Sequence, residues 1–142
     1  MELNHDQRAF LQDHHAAAMI TTGRDGAAKA VRVGVALVDG HLRSSGTADR
    51  ARTKRLRRVP RSTLFVFDPG VRYLTIESAV TILDGDDAPE LNLALFRVMQ
   101  NRPSGPLAWY GEELDEEAFL ARMVQERRLV YEFTPVRIYG TA

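Results

Sequence analysis

The fold is decided by residues 29–46, KAVRVGVALVDGHLRSSG, in which an alternating segment runs directly into a turn signal. Every second residue from Val31 to Leu37 is a branched apolar residue, and this period of two is typical of a β-strand with one buried face. Asp39-Gly40 is the strongest short hairpin signal a sequence offers, so residues 41–46 are predicted to return as the next strand.

Strands of the same kind are predicted along most of the chain. Glycine in the turn at 24–28 and the Asp-Pro-Gly turn at 68–70 separate further strands at 16–23, 62–68, 72–83 and 129–140. About six strands, joined largely by hairpins, must be mostly antiparallel. Such a set tends to close into a small barrel because closure removes exposed strand edges.

Helices are predicted in the longer connections, within one domain spanning residues 1–142. One covers Asn4–His15, another begins near Pro89, and a third carries acids at its start and arginines at its end, near 114–128. A basic helix capped by Thr47 or Asp49 is predicted to run to about Arg58 and to stop before Pro60.

Composition excludes several classes of protein. The 142 residues are 44% hydrophobic and 27% charged, with no apolar run near the roughly 20 residues that span a bilayer. There is no cysteine and no apolar leader, so a cytoplasmic protein without membrane attachment is expected. His14-His15 lacks any metal-binding spacing, so no metal site is predicted.

The charge is balanced at 19 basic and 19 acidic residues but is unevenly placed. Six of the nine residues from Arg50 to Arg58 are Lys or Arg. The net charge of zero and the lack of aromatic residues within the basic run argue against a nucleic-acid partner. A local anion site fits the run better. A solvated helix face is the alternative interpretation of the same run.

The start of the basic helix has the chemistry of a phosphate site. Free backbone N–H groups and the helix dipole attract anions there, and guanidinium groups bind phosphate with two hydrogen bonds. The predicted ligands are Arg50, Arg52, Thr53 and Lys54, with hydroxyls from Ser44 and Ser45. On a helical wheel Arg52 shares the inner face with Leu56, whereas Arg50, Thr53, Lys54 and Arg57 share another face.

The sequence resembles the pyridoxamine 5′-phosphate oxidase-like split-barrel family, in particular its actinobacterial flavin/deazaflavin oxidoreductases. The resemblance lies in residues 50–61, RARTKRLRRVPR, where that branch typically reads RxKTRNLRRDPR, and in the hairpin at 24–40, the strand at 72–83 and residues 126–140. Arg52 replaces the family's Lys, Arg55 its Asn, and Ala28 a frequent Pro. The resemblance implies a mainly β (α+β) fold, an antiparallel split β-barrel of six to seven strands with peripheral helices.

The resemblance also implies a function. Members are homodimers that hold FMN or coenzyme F420 in a groove between subunits, so a reductase acting on an unsaturated small-molecule substrate is expected. The phosphate falls to Arg50 and Arg52, helped by Thr53 and Lys54, with Ser45 beside it. Val33, Gly34 and Val35 line the ring, where the absence of a side chain at Gly34 permits close approach.

The sequence leaves the cofactor and the chemistry partly open. Surplus cations at Arg55, Arg57 and Arg58 favour F420, whose anionic tail exceeds that of FMN, which is the alternative cofactor. A non-catalytic carrier of the same cofactor is the alternative function. Trp109 and Tyr110 are candidates for a lid over the ring, and the alternative for Trp109 is an anchor of its loop to the core.

Overall fold

The computed structural model of the protein describes residues 1–142. The helices are α1 (His5–Asp13), α2 (Ala51–Arg58), α3 (Ala88–Met99) and α4 (Glu116–Gln125). The strands are β1 (Ala16–Thr22), β2 (Ala28–Gly34), β3 (Ala36–Val38), β4 (His41–Thr47), β5 (Arg61–Phe67), β6 (Tyr73–Leu83), β7 (Leu107–Trp109), β8 (Glu112–Leu114) and β9 (Arg128–Gly140).

Seven strands form one sheet in the order β2-β1-β5-β6-β9-β4-β3, and every neighbouring pair is antiparallel. Strands β2 and β3 lie at opposite edges of this sheet, yet only Val35 separates them in the chain. The sheet therefore has to curl until its two edges meet. The result is a half-barrel with four peripheral helices, which confirms the predicted split β-barrel.

The long alternating strand of the sequence is broken at one residue. The Val35 amide donates to the carbonyl oxygen of His15 at 2.8 Å, and the Ser44 hydroxyl donates to the carbonyl oxygen of Gly34 at 2.6 Å. The first bond continues the pairing of β2 with β1, and the second joins the end of β2 to β4, the strand with which β3 pairs. The split of the barrel thus lies between Gly34 and Ser44.

A second, small sheet was not predicted. Strands β7 and β8 form a hairpin whose turn residues, Tyr110 and Gly111, both have positive φ, at 47° and 85°. A turn of this type matches the twist of a two-stranded hairpin. Strands of three residues are too short to show a periodic pattern, so the sequence alone did not predict strands in this segment.

Buried side chains form one large core inside the half-barrel and a smaller one under the hairpin, and a third cluster of 3 residues lies between β3 and α3. The larger cluster has 16 buried residues, and the smaller includes Trp109, Phe119 and Met123. The pairing of β6 with β9 shifts register between Glu77 and Ser78, where β9 has one extra residue, Val136. None of the four helices combines the length and apolarity needed to cross a membrane.

Candidate functional site

A cavity of about 350 Å³ lies at the split of the barrel, and we call it the seam cavity. One wall is the end of β2 and the facing part of β4, and the other is the end of α3 with the β7–β8 turn. The cavity brings together many of the residues predicted from sequence. Its lining comprises Arg32, Val33, Gly34, Ser44, Ser45, Arg50, Arg52, Phe96, Met99, Gln100, Tyr110 and Arg128.

The seam cavity differs from the others in its charge. Its lining has four arginines and no carboxylate. Two cavities of about 390 and 370 Å³ lie elsewhere. The lining of the first contains one arginine, Arg61, and one carboxylate, Glu77. In the second, Arg97 donates to main-chain carbonyls and to Glu116. Arg128 pairs with Glu126, which lies outside the lining, but the other three arginines form no ion pair. This excess of positive charge marks the seam cavity as the candidate site for an anion.

Arg52 is the least satisfied of these cations. Its side chain is half-buried, and its Nε is buried without any hydrogen-bond partner. Nη2 makes one long contact, of 3.4 Å, with the Ser45 carbonyl oxygen, and no carboxylate forms an ion pair with it. Burial, reinforced by Arg50 and Arg128, lowers the pKa of Arg52, and the nearby Tyr131 partly offsets this. A bound anion would supply the partner that the protein does not.

The two serines line the cavity but have already used their hydroxyl protons. Ser44 donates to the Gly34 carbonyl, and Ser45 donates to Oδ1 of the buried Asn92 at 2.6 Å. Asn92 in turn donates to the Ala88 carbonyl, which ties β4 to helix α3. The serines therefore shape the cavity wall, and the prediction that they act as hydroxyl donors to the anion is not supported by these contacts.

The helical wheel groups Thr53 with Arg50, Lys54 and Arg57, but Thr53 is not exposed as those three residues are. Its side chain is fully buried, and its hydroxyl bonds to the Thr47 carbonyl and to the Tyr131 hydroxyl. The helical wheel could not show this, because the partner that keeps Thr53 buried is Tyr131, which is 78 residues away in the chain. Thr53 thus anchors the start of α2 to β9 and does not line the cavity.

The predicted helix caps are also wrong. Helix α2 begins at Ala51, with Arg50 in the cap position and no side-chain cap bond. The Thr47 hydroxyl instead donates to Asp49 at 2.8 Å, and this bond is the main reason that the pKa of Asp49 is lowered. The uncapped helix start remains available to an exogenous anion.

Lys54, Arg57 and Val35 also lie outside the cavity lining. Lys54 is exposed, Arg57 pairs with Asp84 at 3.0 Å, and Val35 is fully buried in the barrel core. The other surplus cations of α2, Arg55 and Arg58, donate to Thr21 and to the Thr22 carbonyl on β1.

The two lid candidates have different environments. Trp109 is 4% exposed, packs edge-on against Phe96 and Phe119, and donates its indole N–H to Glu126 at 3.0 Å. It therefore anchors the hairpin to the core. Tyr110 is 80% exposed, lines the seam cavity, and its hydroxyl has no partner, so it is the residue of the pair that is placed to contact a ligand.

Sequence reasoning missed five lining residues. Arg32 could have been predicted, because it is the neighbour of Val33 and Gly34 on the strand that is expected to line the cofactor ring. Arg128 had none, because only the register of the sheet places it opposite Thr47 at the entry to α2. The remainder, on or just after helix α3, are Phe96, Met99 and Gln100.

Gln100 fixes the hairpin beside the cavity. Its side-chain amide donates to the Ala108 carbonyl at 2.9 Å and accepts from the Ala108 amide at 2.8 Å, which imitates a strand pairing. The position of Tyr110 is thus set from two sides, by Gln100 acting on β7 and by the buried Trp109.

Several solved structures have a fold similar to that of this chain. A conserved hypothetical protein of Mycobacterium tuberculosis superposes with a TM-score of 0.76 at 18% identity, over 99% of this chain and 84% of that one. A structure named F420 reductase superposes at 0.70 and 19% identity, over 96% and 98%. A provisionally assigned pyridoxamine 5′-phosphate oxidase of Listeria innocua gives 0.62 and 18%, over 93% and 92%.

The chain has the fold of the pyridoxamine 5′-phosphate oxidase-like proteins over almost its whole length. No protein-family model matches the sequence, and no curated protein is significantly similar to it.

Proposed function

We propose that this protein is an oxidoreductase that binds a phosphate-bearing deazaflavin, coenzyme F420, at the seam cavity, with FMN as the alternative cofactor. Its substrate would be an unsaturated organic molecule. The observation that carries the proposal is Arg52, a half-buried cation with an orphaned Nε, in a cavity lined by three further arginines and no acid.

The residues present fit such a cofactor. Arg50, Arg52 and the uncapped start of α2 would hold the phosphate. The opposite part of the cavity is apolar, with Val33 and the bare backbone of Gly34 on one side and Phe96 and Met99 on the other. A Cβ on Gly34 would lie 2.9 Å from the Met99 sulfur, so the flexible Met99 side chain covers this backbone and would have to move aside for a ring to lie against Gly34.

The preference for F420 rests on different arginines from those that the sequence suggested. Arg55, Arg57 and Arg58 have partners away from the cavity. The support now comes from Arg32 and Arg50, which make no ion pair and line the cavity. Positive charge beyond the need of one phosphate suits the more anionic cofactor, and the solved structure named F420 reductase supports the same choice.

A second copy of the chain is proposed to complete the site. The outer face of β5 exposes Phe65 and Phe67, which stack on each other at 5.7 Å, and Phe65 also stacks on Tyr73 at 5.3 Å. In the sheet register Ala16 lies opposite Gly34, and Ala18 lies opposite Phe65. The apolar face is therefore continuous with the cavity wall, so a subunit covering it would reach the ligand.

The dimer is tested by the variant Phe65→Glu/Phe67→Glu. We expect the wild type to sediment as a dimer and the variant as a folded monomer with weakened cofactor binding, because two carboxylates would be buried in the interface. Val71→Glu, at a residue that is 91% exposed on a turn, is the control. A wild type that stays monomeric at micromolar concentration, with or without cofactor, would contradict the dimer.

The protein supplies position and electrostatics, whereas a reduced cofactor, once bound, supplies the hydride. Within the lining, Tyr110 has the only side-chain hydroxyl that makes no hydrogen bond to protein. It is the protein group placed to donate the accompanying proton, and solvent is the other source.

Turnover is tested by loading the protein with reduced F420, and separately with reduced FMN, and adding a panel of enones and quinones. The return of the oxidised cofactor's absorbance, above the rate without protein, is the expected result. Binding without any turnover across the panel would favour the carrier function. Absence of binding to both cofactors would contradict the proposal.

A further inference from the structure

Arg128 occupies an unusual position in the seam cavity. Its side chain is only 8% exposed although it lines the cavity. It begins β9 and pairs with Thr47, the last residue before the turn into α2. The Arg127 carbonyl also accepts the Ala48 amide at 3.0 Å, so the start of β9 is joined to the entry of the basic helix.

Two side chains, Glu126 and Trp109, fix the orientation of this guanidinium and also bond to each other. Its Nε donates to Oε1 of Glu126 at 3.0 Å, and its Cζ lies 5.0 Å from the ring centre of Trp109. The Trp109 indole N–H donates to the other oxygen of the same carboxylate, Oε2, also at 3.0 Å. Both carboxylate oxygens are thus committed, one to hold the arginine and one to hold the ring beneath it.

The rest of the guanidinium is left unused. Neither terminal nitrogen of Arg128 hydrogen-bonds to a protein group, although Nε does. An arginine that is bound through Nε and covered on one face by an aromatic ring keeps its remaining N–H groups in a defined direction. Arg128 lines the same cavity as Arg50 and Arg52, so its free N–H groups are available to a ligand there.

We infer that Arg128 is a third anion-binding arginine of the seam cavity, and that Glu126 and Trp109 are positioning residues that aim its free N–H groups at the ligand's phosphate. The inference rests on the proposed function for the identity of the ligand. It adds a residue that belongs to neither the basic helix nor the ring-lining strand.

The direction in which Glu126→Gln changes the ligand affinity separates a positioning role of Glu126 from a purely electrostatic one. A carboxylate next to an anion site repels the anion, so its neutralisation in Glu126→Gln would tighten binding if charge alone mattered. If Glu126 positions Arg128, the same variant weakens binding, because the amide no longer holds the guanidinium and the indole together.

The experiment titrates F420 and FMN, by cofactor fluorescence, into wild type, Arg128→Ala, Arg128→Lys, Glu126→Gln and Trp109→Phe. We expect Arg128→Ala to weaken binding ten- to a hundredfold and Arg128→Lys to recover only part of this, because lysine keeps the charge without the fork. Glu126→Gln and Trp109→Phe are expected to weaken it several-fold. The corresponding phosphate-free compounds, riboflavin and the deazaflavin core, should be affected much less.

Arg24→Ala and Glu117→Gln, at exposed residues, make the same charge changes as Arg128→Ala and Glu126→Gln outside the cavity and are expected to bind like the wild type. Arg128→Ala with wild-type affinity, or tighter binding by Glu126→Gln, would overturn the inference and leave the proposed function standing if Arg52→Ala still weakens binding. Inorganic pyrophosphate is a further probe. If the wild type binds it through Arg128 but binds neither cofactor, the proposed function fails alone, and if it binds no probe, both fail.

Discussion

Replacing Arg52 by methionine is expected to make the ligand-free protein more stable and, at the same time, to weaken F420 or FMN binding about a hundredfold. Arg52 is a half-buried cation with no carboxylate partner and a buried, unsatisfied Nε. An unsatisfied buried donor costs about 1–3 kcal/mol, and methionine fills similar space without it. Loss of two charge-assisted hydrogen bonds to phosphate, at about 1.5 kcal/mol or more each, gives the loss of affinity.

Thermal unfolding and fluorescence titration of the same preparations measure the two effects. Arg55→Met is the matched comparison for stability, because this half-buried arginine of the same helix has a partner, donating to Thr21 at 2.7 Å. Arg55→Met should lower the unfolding temperature, whereas Arg52→Met should raise it. Arg52→Met with lowered stability and unchanged affinity would show that Arg52 serves the fold and not a ligand.

Gly46→Ala is expected to destabilise the protein by about 3 kcal/mol or more, in the upper range for overpacking of a core. A Cβ at this position would overlap the hydroxyl and Cζ of Tyr131 and lie 2.7 Å from its Cε2. Tyr131 is fully buried and bonded to Thr53, so the ring has no free space to enter. For a chain of this length the unfolding temperature should fall by about 10 °C.

Gly70→Ala is the control, since its Cβ would meet nothing nearer than the Asp68 carboxylate at 3.4 Å. Combining Gly46→Ala with Tyr131→Leu should cost less than the sum of the single changes, because the smaller side chain relieves the overlap. A Gly46→Ala protein within 1 kcal/mol of wild type, or strictly additive costs, would contradict the packing described for this corner of the barrel.

Much of the fold follows from local signals in the sequence. The alternation at 31–37 and the Asp39-Gly40 turn predict the strands that frame the cavity. They do not predict the break at Val35, because the apolar alternation continues through it. At the break, the chain leaves its pairing with β1 and begins its pairing with β4, and this depends on how the whole sheet curls.

The site was predictable where one element was enough. Arg52 was placed correctly because the wheel of a single helix puts it on the inner face with Leu56. The burial of Thr53 was not predicted, because its partner Tyr131 lies on another element, strand β9. Arg128 was missed because its place in the cavity depends on its pairing with Thr47, a register that only the folded sheet defines.

Recognition of a cofactor's phosphate by the seam cavity can be measured by comparing cofactors that have the phosphate with those that lack it. Wild-type protein would be titrated with F420 and FMN and with the corresponding phosphate-free compounds, under identical salt. We expect saturable binding of at least one phosphate-bearing cofactor, at least tenfold tighter than that of its phosphate-free counterpart, and we expect this difference to shrink as the salt concentration rises. Equal affinity with and without the phosphate, or no binding of either cofactor, would contradict it.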